Sequence, residues 1–321
     1  MIELAGVTKR YGSLTALDSL TLSIGAGQIF GFIGPNGAGK TTTMKILSCL
    51  IRPDQGVAKV GGLDVRKDGD AIRRMLGYMP DFLGVYDDLT VDEYLQFFAA
   101  AFGVPRKKRR ATIDAVLQLT DLTEKKRAMV DSLSRGMQQR LGVARVLIHD
   151  PQVLLLDEPA SGLDPRARIE MRSLLQELGR MGKVLMVSSH ILSELAEMCT
   201  SIGIIERGKL LYAGSIQDAY ARSRGGDKVI VRLEPGAPET PRRAREELLK
   251  DARVSRITDD PADPFSLAVE MMPPGADGSA RMPHHAVFDA ITRAGGRVVS
   301  FEPQAIKLED AFLKLTTGAL Q

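Results

Sequence analysis

Two short stretches hold residue types whose spacing can do phosphate chemistry. The first is "GPNGAGKTT", Gly34–Thr42, which follows the apolar run "QIFGFIG" and opens a helix-like stretch. Its spacing fits G-x-x-x-x-G-K-[ST] in a strand–loop–helix context. Gly37 and Gly39 let the backbone turn so that N–H groups converge on phosphate oxygens, and the helix adds its positive end. Gly34, Pro35, Asn36, Gly37, Ala38, Gly39, Lys40, Thr41 and Thr42 are therefore the candidate phosphate-binding residues. Lys40 is expected to reach the β and γ phosphates, and Thr41 to offer its hydroxyl to Mg²⁺. The second stretch is "VLLLDEPASGLD", Val153–Asp164, an apolar run that ends on two adjacent carboxylates. Neighbouring like charges do not help local stability, so a chemical reason is needed. Asp157 at the strand's end suits a Mg²⁺ partner of the glycine loop. Where the chain bends away, Glu158 can aim at an attacking water.

Elements must hold these groups together. "QIFGFIG" (Gln28–Gly34), "VLLLD" (Val153–Asp157) and "VLMVSSH" (Val184–His190) lack polar alternation and read as strands buried on both faces. Helix-like stretches follow them, starting near Thr41 and Arg166 and in "ILSELAEMC". That order predicts a parallel α/β core. Between about Thr90 and Asp150 strand signals vanish, and "VDEYLQFFAAAF", "ATIDAVLQL" and "GMQQRLGVARVLI" read as a helical insertion.

The length of 321 residues suggests two domains. Composition shifts near Ser223–Gly226, beyond which Pro, Gly and charge are frequent. The later elements read strand (Lys228–Glu234), helix (Pro241–Asp251), strand (Arg253–Thr258), strand (Ser266–Met271), helix (His284–Ala294), strand (Arg297–Glu302), with a last helix over Leu308–Thr316. This β-α-β-β-α-β order predicts a small ferredoxin-like α+β domain over 222–321, after an α/β domain over 1–221 whose helical part covers about 88–150. A net charge of +3 is too small to make nucleic acid the main partner. Cys49 and Cys199 sit in no metal or redox spacing, which suits a cytosolic chain. No apolar run approaches the ~18 residues of a membrane span. The basic run "RKKRR", Arg106–Arg110, reads as a solvated helix start, and the adjacent His284 and His285 as surface residues.

From Met1 to about Ala221 the chain resembles the ABC-type ATPases, a P-loop NTPase family, with five motifs in order. "LSRGM" (Leu133–Met137) stands where the family has its LSGGQ signature, "SGLD" (Ser161–Asp164) resembles the D-loop, and His190 matches the switch histidine and is expected to contact the γ-phosphate. Tyr11 in "KRYG" matches the residue that stacks on adenine, and Asp81 in "GYMPD" falls where the family has a metal-sensing Gln. The resemblance implies a head-to-tail homodimer, with each ATP between one subunit's glycine loop and the other's signature. Ser134 and Gly136, expected just before a helix over Met137–Ile148, would then face a γ-phosphate. The signature departs at Arg135 and Met137, and Arg135 is expected to face solvent. Asp81 keeps an oxygen for Mg²⁺ but lacks the amide donor. The resemblance further implies an exporter's ATP-hydrolysing subunit, peripheral on the inner face of the membrane and acting on separate permease subunits. A soluble ABC ATPase working on ribosomes or DNA is the alternative.

Overall fold

The computed structural model describes residues 1–82, 84, 88–216, 218, 228–236, 239–260, 262–272 and 283–304. Contacts divide the chain into two compact units, the first Met1–Ile216 and the second beginning at Gln217.

The first unit opens with two antiparallel strands, β1 (Ile2–Tyr11) and β2 (Leu14–Ile24). Their register shifts between Leu4 and Val7 and again on either side of Lys9, so the two-residue apolar period is lost partway along. Strand β3 (Ile29–Ile33) is buried at every position and leads through the glycine loop into α1 (Lys40–Leu47). Strands β4 (Gln55–Val60) and β5 (Leu63–Asp64) complete an antiparallel sheet in the order β2-β1-β4-β5. Helix α2 (Gly69–Met75) runs directly into β6 (Leu76–Met79).

Three helices follow: α3 (Val91–Ala101), α4 (Arg106–Leu119) and α5 (Arg135–Leu147). Thr90 and Glu93 form a reciprocal capping box that fixes the start of α3. The basic run Arg106–Arg110 forms the first turns of α4. Ser134 caps α5, so that helix starts two residues earlier than the sequence suggests, and Gly136 lies inside its first turn.

Strand β7 (Val153–Leu156), helix α6 (Pro165–Arg180), strand β8 (Val184–Ser189) and helix α7 (Leu192–Ala196) come next. Asp164 caps α6, with Pro165 at its first position. A hairpin of β9 (Ser201–Glu206) and β10 (Lys209–Ser215) ends the unit. The main sheet has the order β10-β9-β3-β8-β7-β6, parallel except at β10. Strand β3 is thus central, and the carboxyl ends of β3, β7 and β8 lie side by side. This is where open α/β sheets bind ligands.

The second unit contains β11 (Lys228–Leu233), α8 (Thr240–Leu248), β12 (Val254–Asp260), β13 (Asp263–Met271), α9 (His284–Arg293) and β14 (Val298–Gln304). Its antiparallel sheet has the order β12-β13-β11-β14, with the first and third strands central, as in a ferredoxin-like fold. Val229, Val231, Leu233, Leu267, Val269 and Met271 alternate onto one face and bury against Leu248 of α8 and Val287 and Ile291 of α9. The expected helix Leu308–Thr316 and the shift at Ser223–Gly226 lie outside the described residues.

Candidate functional site

The loop from Gly34 to Gly39 needs its glycines for two physical reasons. At Gly34 a Cβ would collide with the Ile205 carbonyl. Gly39, at the N-terminus of α1, has φ 112, and a Cβ there would come within 2.7 Å of the Ala16 carbonyl oxygen.

Lys40, only 6% exposed, folds back over the loop. Its Nζ donates to the Gly34 carbonyl at 2.6 Å and the Pro35 carbonyl at 3.3 Å, and lies 3.3 Å from Glu158 Oε1. The neighbouring Thr41 Oγ1 donates to Asp157 Oδ2 at 2.6 Å. The loop's hydroxyl and the carboxylate from the end of β7 therefore meet directly.

Asp157 is 1% exposed and would be costly to bury ionised without partners. Its other oxygen accepts from Ser188 Oγ at 2.5 Å. The same Ser188 hydroxyl accepts from the Glu158 backbone N–H at 2.9 Å. Ser188 thus ties the two carboxylate residues together from the end of β8. Sequence reading missed it. The only signal was its place two residues before His190, since a serine at a strand end has many uses.

Adjacent strand residues point to opposite faces, yet Asp157 and Glu158 both serve one site. Glu158 resolves this with φ 52, a left-handed conformation that costs a non-glycine residue ~1–2 kcal/mol. The turn swings its carboxylate beside Lys40 and against His190, whose Nδ1 lies 2.9 Å from Glu158 Oε2. A carboxylate only accepts, so Nδ1 carries the proton in this bond.

Asp81 follows β6 on the exposed side of the group. Burial and then the charges of Asp157 and Glu158 push its carboxyl up from the usual range, while Arg135 and His190 pull it down. Tyr78, on β6, is pushed up by burial and then by Asp157 and Asp81. Among the described residues its buried hydroxyl has no hydrogen-bond partner.

The structure therefore brings together Lys40, Thr41, Asp157, Glu158 and His190, with Asp81 close enough to feel their charges. Ser134 and Gly136 are elsewhere: among the described residues neither is hydrogen-bonded to that group. Ser134 Oγ accepts from Met137 N at 3.3 Å, and Gly136 packs on Ala167 of α6. Tyr11 is 47% exposed at the end of β1, with Lys9 Nζ 5.5 Å from its ring centre. Arg135 is exposed as a residue, yet its guanidinium rests on Gly162 rather than pointing freely into solvent.

Magnesium suits hard oxygen donors, one or two carboxylates and the oxygens of a bound phosphate. Thr41 and Asp157 bring a hydroxyl and a carboxylate of that kind together. Among the described residues no three His, Cys, Asp or Glu side chains form a metal-holding group.

Replacing Ser188 with Ala leaves a buried Asp157 oxygen without a donor, which costs ~1–3 kcal/mol. The expected result is a lower urea midpoint with unchanged slope, accompanied by slower phosphate release. An unchanged midpoint would show that the Ser188 bridge contributes nothing.

A glycine loop at the carboxyl end of a central parallel strand, facing an Asp–Glu pair, defines a P-loop nucleotide-binding protein. The ABC transporter family profile matches residues 17–161. The chain is 33% identical to the Nod factor export ATP-binding protein I of Burkholderia orbicola over 320 residues, 100% of this chain and 98% of that protein. It is 37% identical to the protein of the same name from Ralstonia nicotianae, over 72% of each chain. To the bacitracin transport ATP-binding protein BcrA of Bacillus licheniformis it is 41% identical, over 66% of this chain and 68% of that one. A solved ATP-binding subunit of an ABC transporter superposes with a TM-score of 0.63 at 26% identity, covering 69% of this chain and 92% of that one. A dimeric ATP-binding cassette, in a post-hydrolysis state with ADP and Pi, superposes with a TM-score of 0.61 at 25% identity, covering 67% and 99%. The chain belongs to the ABC transporter family, and its first unit is the family's ATP-binding cassette, an ATPase.

Proposed function

We propose that this protein powers export through separate permease subunits, docked peripherally on the inner face of the membrane. The named relatives serve Nod factor export and bacitracin transport, which favours a transporter over a ribosome- or DNA-directed ATPase. Among the described residues no helix is long and apolar enough to cross a membrane.

The observation that carries the mechanism is the joined group Thr41–Asp157–Ser188–Glu158–His190. Lys40 and the backbone of Gly34–Thr42 bind the β and γ phosphates of ATP, while exposed Tyr11 offers a face for adenine. Thr41 and Asp157 would hold Mg²⁺, with Asp81 a further oxygen ligand, direct or through water; the ion would neutralise charge on the phosphate oxygens. Glu158 accepts a proton from the attacking water, and His190 holds its carboxylate in place through Nδ1–H. Ser134 and Gly136 lie apart from this group in their own chain. They serve a partner copy's ATP, with the positive end of α5 facing the γ-phosphate. Two such sandwiched nucleotides make the head-to-tail homodimer. ATP closes it and hydrolysis reopens it, and closure and the permease's outward state favour one another by reciprocal linkage.

Purification from native membranes tests the role. A polytopic partner is the expected companion, and ribosomal proteins instead would overturn the reading. Asp81 has its own test. Asp81→Gln removes a charge but keeps an oxygen, so the Mg²⁺ dependence of hydrolysis should shift more than ATP affinity. Identical Mg²⁺ curves for parent, Gln and Ala variants would make Asp81 a turn residue only.

A further inference from the structure

The signature of this chain carries an arginine where the family has glycine, and the fold gives that arginine a definite seat. A Cβ built on Gly162 would come within 2.6 Å of both terminal nitrogens of Arg135. The guanidinium therefore lies against the bare Cα face of Gly162, in the turn that precedes α6. Gly162 has φ 67, a backbone state that suits glycine.

Two further contacts join the same pair of elements. Gly136, in the first turn of α5, packs so closely on α6 that a Cβ there would sit 3.0 Å from that of Ala167. One turn on, the buried Arg140 reaches Glu170 of α6 at 3.6 Å while also pairing with Asp121 at 3.0 Å. Arg135, Gly136 and Arg140 thus touch in turn Gly162, just before α6, and Ala167 and Glu170 within it.

We infer that Arg135 is a positioning residue, a latch that fixes the signature turn to the Ser161–Asp164 turn of the same subunit, so that the signature is presented to a partner copy as a rigid surface. This rests on the head-to-tail dimer proposed above. The signature faces the partner there, so loosening it against its own subunit costs interface order before any contact is lost. A signature with glycine at this position has no side chain to make the latch.

Hydrogen exchange on the full-length monomer, without nucleotide, tests the latch independently of dimerisation. Arg135→Ala should speed exchange of the amides of both turns, 133–137 and 160–164, by about tenfold. Gly162→Ala should do the same to the signature turn by displacing the guanidinium. In the signature turn, 133–137, the two substitutions remove one contact, so the double variant should match Arg135→Ala there rather than sum the two effects; the 160–164 turn also carries the strain of alanine at φ 67 and is left out of this comparison. In a Glu158→Gln background, gel filtration with ATP should then require about tenfold more protein to reach half dimer for Arg135→Ala. Arg135→Gln, planar but uncharged, should recover part of the loss. Unchanged exchange in either turn for Arg135→Ala, or strictly additive effects in the signature turn, would overturn the latch. If Glu158→Gln alone never dimerises, the dimer reading fails while the exchange result still decides the latch. If it dimerises and Arg135→Ala does so equally well, the latch has no role in assembly and the inference is wrong.

Discussion

Glu158→Gln is expected to bind ATP and to hydrolyse it ~10²- to 10⁴-fold more slowly, the usual weight of a positioned general base. Gln is nearly isosteric and can still accept from His190 Nδ1–H, so the 2.9 Å contact should survive. What it loses is the capacity to take a proton. It also removes one negative charge beside Lys40, which lies 3.3 Å away, so the lysine is less committed to its own chain and freer for phosphate. The ATP-bound dimer should therefore accumulate, seen as a shift in gel filtration with ATP and Mg²⁺. A variant that stays monomeric and turns over at the parental rate would remove Glu158 from the chemistry.

Lys40→Ala should act on the ground state instead. Its ammonium is buried and already committed to two loop carbonyls and Glu158, so its contacts move to phosphate rather than to water. A charged hydrogen bond contributes ~1.5–3 kcal/mol, or roughly 10- to 150-fold in affinity. Equilibrium titration with a fluorescent ATP analogue should show a loss of that order. Circular dichroism must show that the variant is folded, because Glu158 loses its cation and a broken buried pair can cost ~3–5 kcal/mol. Unchanged affinity in a folded variant would mean that phosphate does not meet Lys40.

Much of this site was legible before the structure, for identifiable reasons. The glycine loop is readable because only glycine fits at Gly34 and Gly39, so backbone geometry writes itself into residue type. Asp157 and Glu158 were readable as a functional pair because nothing about strand stability asks for them. The remaining parts carry no such mark. Ser188 bridges the two carboxylate residues through one hydroxyl, and serines sit at many strand ends without doing so. The sheet β2-β1-β4-β5 was passed over because bulges break the alternation of β1 against β2. The start of α5 lies two residues before Met137 because the Ser134 cap draws the helix back over Arg135 and Gly136. Arg135 was expected in solvent because arginines mostly are; its seat depends on Gly162, a residue remote in sequence. The second unit was better exposed, since its turns separate strands with apolar alternation and its helices have clear apolar faces.

The central place of β3 has a consequence for how the protein is made. The strand that carries the glycine loop is hydrogen-bonded on one side to β8 and on the other to β9. Both partners are synthesised roughly 150 residues later, many seconds at ~5–20 residues per second. Until then the apolar segment Ile29–Ile33 has neither native neighbour, and the nascent chain carries its phosphate loop on an unpaired strand. The second unit, by contrast, closes its sheet from strands that emerge within about 80 residues of one another, a more local arrangement and so one expected to form faster. Nucleotide can therefore stabilise the cassette only after β9 is complete. Up to that moment the chain depends on slow long-range pairing, without help from its ligand.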